Sequence, residues 1–333
     1  MTTRVPLPSH RARTGVALLG ALWLVLMIAT VGTRFALAAQ ARRHLGLSAA
    51  DRARDDAVLS GALATVRARL ETEERLARAA RAQAGNGAAN GPADIAWRDP
   101  WAMLETQLAD GVTVGEQQVD VQVLDLGTVR NVNLLGEVQL ATMFATVLRD
   151  LPTAQALAQA IADWRDQDTL PRAQGGEAAA YARAGLLVRP TNGSFRDVDD
   201  VRDVLGMTPE TFDAVRPLLS TLGGNVRINL NAAPEAVLRT LPGVTEVLLR
   251  QILALRSSGR RIESVPALIT ASGASGPAGA ALERQLTSAV TVQTRDVLLT
   301  LTTRATSPGP AASMRAVVHR LDDGSVRVSE QRW

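Results

Sequence analysis

Four carboxylates lie close together near the middle of the chain. Asp163, Asp166 and Asp168 follow one another closely, and Glu177 comes directly after the glycines at residues 175–176. Carboxylate oxygens are the hard ligands that Ca²⁺ prefers, and one calcium ion takes several of them. The spacing differs from that of an EF-hand loop. The cluster therefore predicts either a calcium site or a solvated acidic loop that neighbouring arginines neutralise.

A second motif, at residues 241–253, is typical of a helix–hairpin–helix element. In DNA-binding versions the backbone amides of the turn face a phosphate, and a second glycine lets the backbone approach it. Here Gly243 is the first glycine and Thr245 occupies the second position. A related segment at residues 193–210 is rich in aspartate, which repels phosphate. A structural role is therefore favoured over contact with DNA.

Residue types that carry catalysis are scarce in this chain. The three histidines, His10, His44 and His319, are far apart and lack metal-ligand spacing. The chain has no cysteine, which excludes thiolate chemistry. A glycine-rich phosphate loop and a nucleophile-elbow motif are also missing. The sequence therefore predicts a protein that is not an enzyme.

Net charge is concentrated at the N-terminus. The 333 residues carry a formal charge of +3, and Arg4, Arg11 and Arg13 lie in a leader that has no acidic residue. The rest of the chain is therefore neutral in side-chain charge. A neutral body does not favour nucleic acid as a partner.

An uncharged apolar run follows the leader directly. It begins at Val16 and ends before Arg34, and its about 18 residues are near the lower limit for a helix that spans a bilayer. The leader arginines predict a cytoplasmic N-terminus. Three interpretations are open: a signal peptide cleaved after Ala38, an uncleaved anchor, and a prepilin-type leader cleaved between Gly15 and Val16.

Helical character continues beyond the apolar run. Aliphatic residues between residues 59 and 70 recur with helical spacing and form one apolar stripe. An unbroken helix from Val16 to about Arg81 would be roughly 90–100 Å long. Alternatively, Ser48 and Asp51 could cap a second helix after Gly46.

Two regions with strand patterns enclose a helical region. Residues 119–126 alternate between apolar and polar and predict a strand, with residues 128–133 as its partner. Alternation returns from Val290 onwards, with a hairpin turn at residues 322–324. The helical region between them contains a weak internal repeat, at residues 130–135 and 227–231. The order predicts one sheet that is interrupted by an inserted domain.

Together these features resemble the K-type minor pseudopilins of the type II secretion system. The similarity lies in the leader junction around Gly15, the acidic residues 163–168 with Gly176, Glu177 and Tyr181, the segment 227–234, and the turn at residues 241–243. These features keep the family's order over nearly the whole mature chain.

The resemblance implies an α+β fold, with a pilin-like long N-terminal helix, an antiparallel sheet, and a large all-helical domain inserted between strands. The expected organisation, in chain order, is a prepilin leader at residues 1–15, a transmembrane helix at 16–34, an amphipathic helix at 35–83, the first pilin-like strands at 84–133, an inserted helical domain with helix–hairpin–helix-like units at 134–289, and the C-terminal strands of the sheet at 290–333.

The function that the resemblance implies is structural. A K-type subunit lies at the tip of the periplasmic pseudopilus and initiates or caps its assembly during export of folded proteins across the outer membrane. The implied partners are the I-type and J-type minor pseudopilins, other pseudopilins of the fibre, and a prepilin peptidase that recognises Gly15 and Val16. The expected location is the bacterial inner membrane, in a single pass, with a cytoplasmic N-terminus and a periplasmic body. The alternative function is a membrane-anchored helix–hairpin–helix module that binds DNA; no nucleic-acid partner is expected otherwise.

The resemblance also implies a calcium site in the inserted domain. Its ligands carry over to Asp163, Asp166, Asp168 and Glu177, whereas Ala178 replaces an acid that the family often has at the next position.

Position 20 is a further point of similarity. Ordinary pseudopilins have a glutamate at the fifth mature residue, which neutralises the N-terminal amine of a neighbouring subunit. This chain has Gly20, as K-type subunits lack that glutamate. A subunit placed first in the fibre has no preceding amine to neutralise, and we expect Gly20 to mark such an initiator.

Overall fold

The computed structural model describes residues 11–85, 99–224, 226–304 and 311–332, with the side chains of α1 described in part. The chain divides into two compact units, Met1–Ala57 and Val58–Trp333. The described part of the first unit is helical and belongs to α1, which runs from Arg11 to Gly85. The helix is continuous at Gly46, so a second helix does not begin there. Within the part of the chain that is described, no helix is both long enough and apolar enough to cross a membrane.

The second unit contains a five-stranded antiparallel sheet with the order β1-β2-β7-β8-β9. Its strands are β1 (Val112–Val114), β2 (Gln117–Asp125), β7 (Asp296–Thr303), β8 (Ser313–Arg320) and β9 (Val326–Arg332). Val297, Leu299 and Leu301 alternate along β7 and are buried in one apolar cluster with the α1 stripe, to which Leu59 and Val66 belong. The period of two in the strands and the helical period in α1 thus bring two apolar faces together.

A buried group of charges joins this part of α1 to the sheet. Arg320 of β8 contacts Glu74 of α1 at 2.5 Å and Asp99 at 3.0 Å. Asp99 also accepts a 2.6 Å hydrogen bond from the amide of Thr294. All three charged side chains are buried. Because a buried charge without its partner is strongly destabilising, this group favours one position of the sheet on the helix.

The region between β2 and β7 is mainly helical and has its own apolar core. Its helices are α3 (Glu137–Leu148), α4 (Leu151–Arg165), α5 (Ala178–Arg183), α6 (Pro209–Val215), α7 (Glu235–Leu238), α8 (Glu246–Ser257), α9 (Val265–Ala271) and α10 (Gly276–Ala289); a short α2 (Leu104–Gln107) precedes β1. The described chain is therefore a mixed fold of helices and an antiparallel sheet. The helical region lies in the chain between two strands that are hydrogen-bonded neighbours.

Two very short parallel strand pairs occur in the helical region. β3 (Arg130–Asn131) pairs with β4 (Leu219–Ser220), and β5 (Ile228–Asn229) pairs with β6 (Val290–Thr291). The expected pairing of residues 128–133 with the strand at 119–126 is therefore wrong, because β2 pairs with β1 and β7 instead. Alternation predicts an extended segment but does not specify its partner.

The same asparagine arrangement occurs in both short pairs. Asn133 exchanges two hydrogen bonds with the backbone of Phe195. Asn231 accepts from the amide of Ile262 and donates to the carbonyls of Ile262 and Val292. In each copy, the asparagine two residues earlier accepts a hydrogen bond from the backbone amide of this residue. The weak internal repeat of the sequence thus corresponds to two similar hydrogen-bonded units.

Candidate metal centre

The four predicted carboxylates lie around one loop between α4 and α5. Asp163 is in the last turn of α4, Asp166 follows its end, and Glu177 directly precedes α5. Tyr181 of α5 anchors the start of that helix, because its buried hydroxyl accepts a 2.9 Å hydrogen bond from the amide of Leu205. The Tyr181 and Trp164 rings pack with their centroids 5.9 Å apart. Helix ends and aromatic packing therefore position the acidic loop.

Three of the four carboxylates converge. One oxygen each of Asp166, Asp168 and Glu177 lie within 4.8 Å of one another. Glu177 is buried, Asp166 is half-buried and Asp168 is exposed. Asp168 Oδ1 also accepts a 2.8 Å hydrogen bond from the amide of Leu170. The convergence is of a size that a single cation could bridge.

Asp163 has a different role from the other three. It is fully buried and its Oδ1 lies 2.5 Å from Arg172 Nη1. Its Oδ2 accepts a 3.1 Å hydrogen bond from the Arg172 amide. A Cβ at Gly175 would be 2.1 Å from this oxygen, so a glycine is needed there. Asp163 therefore fixes the loop through Arg172 and lies outside the convergent group.

Arg172 is a feature of the site that the ligand prediction did not include. Its Nη1 also lies 2.6 Å from Asp166 Oδ2, and its Nε is 3.3 Å from Glu137. These carboxylates raise the pKa of the guanidinium above its ordinary value. The acidic segment contains two arginines, Arg165 and Arg172. Arg172 pairs with the carboxylates, whereas Arg165 donates to backbone carbonyls, a difference that the sequence does not indicate.

Arg172 leaves part of the negative charge uncompensated. Glu177 Oε1 and Asp166 Oδ1 are buried oxygens without a hydrogen-bond partner among the residues that the structure describes. Burial raises the pKa of Glu177 above its usual range, and the charges of Asp163, Asp166 and Asp168 raise it further. Buried carboxylate oxygens that lack donors are costly unless a cation or a proton satisfies them.

These residues fit a calcium ion. The donor set consists of hard carboxylate oxygens, two of which have no partner within the described part of the chain. Asp166, Asp168 and Glu177 would hold the ion. Its charge would compensate the repulsion among them and tie the end of α4 to the start of α5.

The turn of the helix–hairpin–helix motif is covered by another helix. A Cβ at Gly243 would lie 3.0 Å from side-chain atoms of Leu282 and Gln285, which belong to α10. Gly243 has φ +86°, as the tight turn requires. Thr245 caps α8 by accepting a hydrogen bond from the amide of Leu248. The position where a second glycine would face a phosphate is therefore used to begin a helix, and the DNA-binding alternative is not favoured.

The sheet brings together three residues that sequence spacing did not connect. His319 Nδ1 lies 2.5 Å from Asp296 Oδ1, and His319 Nε2 contacts the hydroxyl of Ser329. Asp296 and His319 are directly opposite each other in β7 and β8. Serine, histidine and aspartate also form the catalytic group of serine hydrolases, but such an enzyme needs preorganised N–H donors beside a substrate cleft as well. Contacts among these three side chains therefore do not by themselves indicate a hydrolase. They connect three adjacent strands, and the prediction that the protein is not an enzyme stays a prediction.

The residues of the predicted leader junction belong to α1. Gly15, Val16 and Gly20 lie within its helical backbone, while their side-chain environments are outside the described part. Cleavage and assembly at these positions stay predictions.

Comparison with known proteins agrees with the sequence resemblance. Residues 125–224, which include the whole carboxylate cluster, match the family model of type II secretion system (T2SS), protein K. A segment of 113 residues is 30% identical to type II secretion system protein K of Pseudomonas aeruginosa. The match covers 32% of this chain and spans only 34% of that relative. The chain is thus similar to a K-type pseudopilin, and the resemblance predicted from its sequence is confirmed.

A solved structure is also similar over much of the chain. It is the crystal structure of the GspK-GspI-GspJ complex from the enterotoxigenic Escherichia coli type 2 secretion system. The identity is 18% and the TM-score is 0.49, with 84% of this chain and 98% of the other covered.

Proposed function

We propose that this chain is a minor pseudopilin at the tip of the type II secretion pseudopilus, where it initiates or caps assembly for export of folded proteins across the outer membrane. The match of residues 125–224 to the protein K family carries this proposal. It agrees with the sequence resemblance, whose features extend from the leader junction to the turn at residues 241–243. The proposed partners are the I-type and J-type minor pseudopilins and other subunits of the fibre.

We propose that the second unit is a pilin-like body with an inserted helical domain. In the second unit, α1 packs on an antiparallel sheet through one apolar stripe. The helical region at residues 126–295 adds a separate core between the adjacent strands β2 and β7. A domain of this size does not fit inside a packed fibre of helices, which supports a place at its end.

The N-terminal part of α1 is proposed to be a single-pass anchor in the inner membrane. The described side chains from Leu22 to Ile28 are apolar and strongly exposed, with Trp23 at 68%. Apolar side chains exposed in such a continuous run need a lipid or protein environment. The arginines before residue 16 favour a cytoplasmic N-terminus and a periplasmic body.

The mass of the mature N-terminus tests the leader. We expect the protein purified from its host membranes to begin at a methylated Val16. Gly15→Val should leave the leader attached, because a bulky residue replaces the glycine at the proposed cut. Ala38→Leu is the matched control and should still give the Val16 start.

The opposite pattern would contradict the proposal. A mature protein that begins at Ala39, with cleavage blocked by Ala38→Leu and unaffected by Gly15→Val, identifies an ordinary signal peptide. Intact mass spectrometry distinguishes these outcomes directly.

Calcium is proposed as the ligand of the carboxylate cluster. Asp166, Asp168 and Glu177 are its proposed ligands, and Asp163 supports them through Arg172. The ion would stabilise the loop between α4 and α5.

A further inference from the structure

A cavity of about 370 Å³ lies in the helical region, away from the acidic loop. It is bounded by the β3–β4 pair, the turn that follows β4, and the end of α10. Most of its wall is aliphatic. The aliphatic lining residues include Leu126, Val129, Leu222, Val226, Ile228 and Leu241. The described lining contains one charged side chain, that of Arg130, and no acidic side chain.

Arg130 has no partner in the described part of the protein. Its Nε is buried and makes no hydrogen bond. Burial lowers the pKa of its guanidinium, and no acidic side chain in the described part of the chain offsets this lowering. The two other arginines with a pKa lowered by burial, Arg165 and Arg256, each donate to two backbone carbonyls. Arg130 is therefore a half-buried side chain whose buried Nε has no hydrogen-bond partner among the described residues.

The other polar side chains of the cavity already have partners. Asn131 donates to the carbonyl of Gly223 at 2.7 Å, and Ser220 donates to that of Leu222 at 2.9 Å. Gln139 donates to Thr240, and Ser288 donates to Gln285. These contacts hold the walls of the cavity. Arg130 is the side chain in the described lining that remains available to a ligand.

The Arg130 guanidinium and the aliphatic walls around it determine which class of ligand the cavity would bind. A guanidinium binds a carboxylate through two parallel N–H···O bonds, and the low polarity of the surroundings strengthens them. The volume is at the small end of ligand sites and suits one compact apolar group beside the carboxylate. A ligand with several charges would leave them unpaired against the aliphatic wall.

We infer that this cavity binds a ligand that joins one carboxylate to one compact apolar group, with Arg130 holding the carboxylate. The C-terminal residue of a polypeptide and a free short-chain carboxylic acid both have this chemistry. The inference is independent of the proposed place in a fibre, because it rests on the cavity and its arginine alone.

Calorimetric titration of the full chain in detergent micelles tests the inference with three probes. N-acetyl-L-leucine represents a polypeptide C-terminus, hexanoate represents a free acid, and N-acetyl-L-leucinamide lacks the charge. We expect the first two to bind and the amide to bind at least about tenfold more weakly, because one charge-assisted pair is lost. Tighter binding of N-acetyl-L-leucine than of hexanoate indicates a polypeptide source, and the reverse order indicates a free acid.

Variants locate the binding. Arg130→Gln should weaken binding of the carboxylates by about tenfold or more, whereas Arg260→Gln, which changes an exposed arginine outside the cavity, should not. Ser288→Phe at the rim should also weaken binding, by narrowing the cavity.

Two results would overturn the inference. One is equal binding of N-acetyl-L-leucine and its amide by the native protein, and the other is undiminished binding by Arg130→Gln. If Arg130→Gln fails to fold, Ser288→Phe decides in its place, and unchanged binding by that variant contradicts the assignment.

Discussion

Asp163 and Glu177 show how two buried carboxylates of one loop differ in what surrounds them. Asp163 is 0% exposed and is compensated by both the side chain and the amide of Arg172. Glu177 is 8% exposed, and one of its oxygens accepts no hydrogen bond from the described part of the chain. The first is a completed structural pair. The second has the unsatisfied charge that a calcium ion would compensate.

Glu177→Gln separates these roles experimentally. The native protein should unfold at a higher temperature with calcium than with a chelator. Its free energy of unfolding should rise by about 2.7 kcal/mol when calcium is at 100 times its dissociation constant. The variant should lose most of this response, because a neutral amide is a poor ligand for the ion. Without calcium, its stability should be unchanged or higher, since a buried charge with a raised pKa has been removed.

An exposed glutamate outside the cluster provides the control for Glu177→Gln. Glu263→Gln changes an exposed glutamate outside the cluster, and it should respond to calcium as the native protein does. An equal calcium response in Glu177→Gln would show that the ion, if bound, does not use this cluster. Thermal unfolding with calcium, with magnesium and with chelator provides the measurement.

At the scale of elements, side-chain hydrogen bonds hold the two short parallel pairs in place. A pair of two-residue strands contributes few backbone hydrogen bonds. Asn231 adds three bonds to distant backbone groups, and Asn133 adds two in the other copy. Arg165 and Arg256 donate to carbonyls beside the respective pairs. In each unit, polar side chains thus connect backbone segments that are distant in the sequence.

Asn231→Ala should destabilise the helical region strongly. The change leaves the carbonyls of Ile262 and Val292 and the amide of Ile262 without this partner. We expect a loss of about 1–3 kcal/mol in the free energy of unfolding, because these partly buried backbone groups lose a hydrogen-bond partner. Chemical denaturation measures this loss.

The comparison uses a second amide side chain. Gln155 is exposed on α4, and Gln155→Ala should change stability by less than about 0.5 kcal/mol. If the two substitutions changed the free energy of unfolding by similar amounts, the hydrogen bonds of Asn231 would not stabilise its unit. A loss in Asn133→Ala comparable to that in Asn231→Ala would extend the argument to both copies.

At the scale of the whole molecule, the sheet is completed by strands from both ends of the second unit. Val121 of β2 lies opposite Leu301 of β7, although the complete helical region separates them in the chain. The pairing of β2 with β7 therefore requires the two ends of the helical region to come together. Forming such distant contacts costs loop-closure entropy, and the two apolar cores stabilise the result.

The residue at position 20, Gly20, bears on the proposed place of the whole molecule in a fibre. If the chain is the first subunit of a fibre, a glutamate at this position meets no amine and remains an unpaired charge among apolar helices. We expect Gly20→Glu to reduce initiation of the pseudopilus and secretion by its host, and Gly20→Ala to leave both unchanged.

The measurement is secretion of a native substrate, together with recovery of the I-type and J-type subunits with the tagged chain. Normal secretion by Gly20→Glu would mean that the missing glutamate has no role in initiation. This outcome leaves the resemblance to protein K intact, because the resemblance does not depend on Gly20.

Local pattern was sufficient for several parts of this protein. The stripe from Leu59 to Leu70 and the alternation along β7 and β8 predicted which faces are buried. The acidic residues of one loop were identified as a candidate site, and three of them converge. These features can be predicted because period and burial are properties of neighbouring residues.

Only the tertiary structure decided which distant groups meet. It placed β3 against β4 and not against β2, and it paired Asp163 with Arg172. It also placed Arg130 at an apolar cavity, where the buried Nε has no partner among the described residues. A two-residue strand is too short for alternation to specify a partner, and a charged residue has no preferred partner in sequence. Those choices follow from chain closure and from burial, because the free energy of a pair depends on what surrounds it after folding.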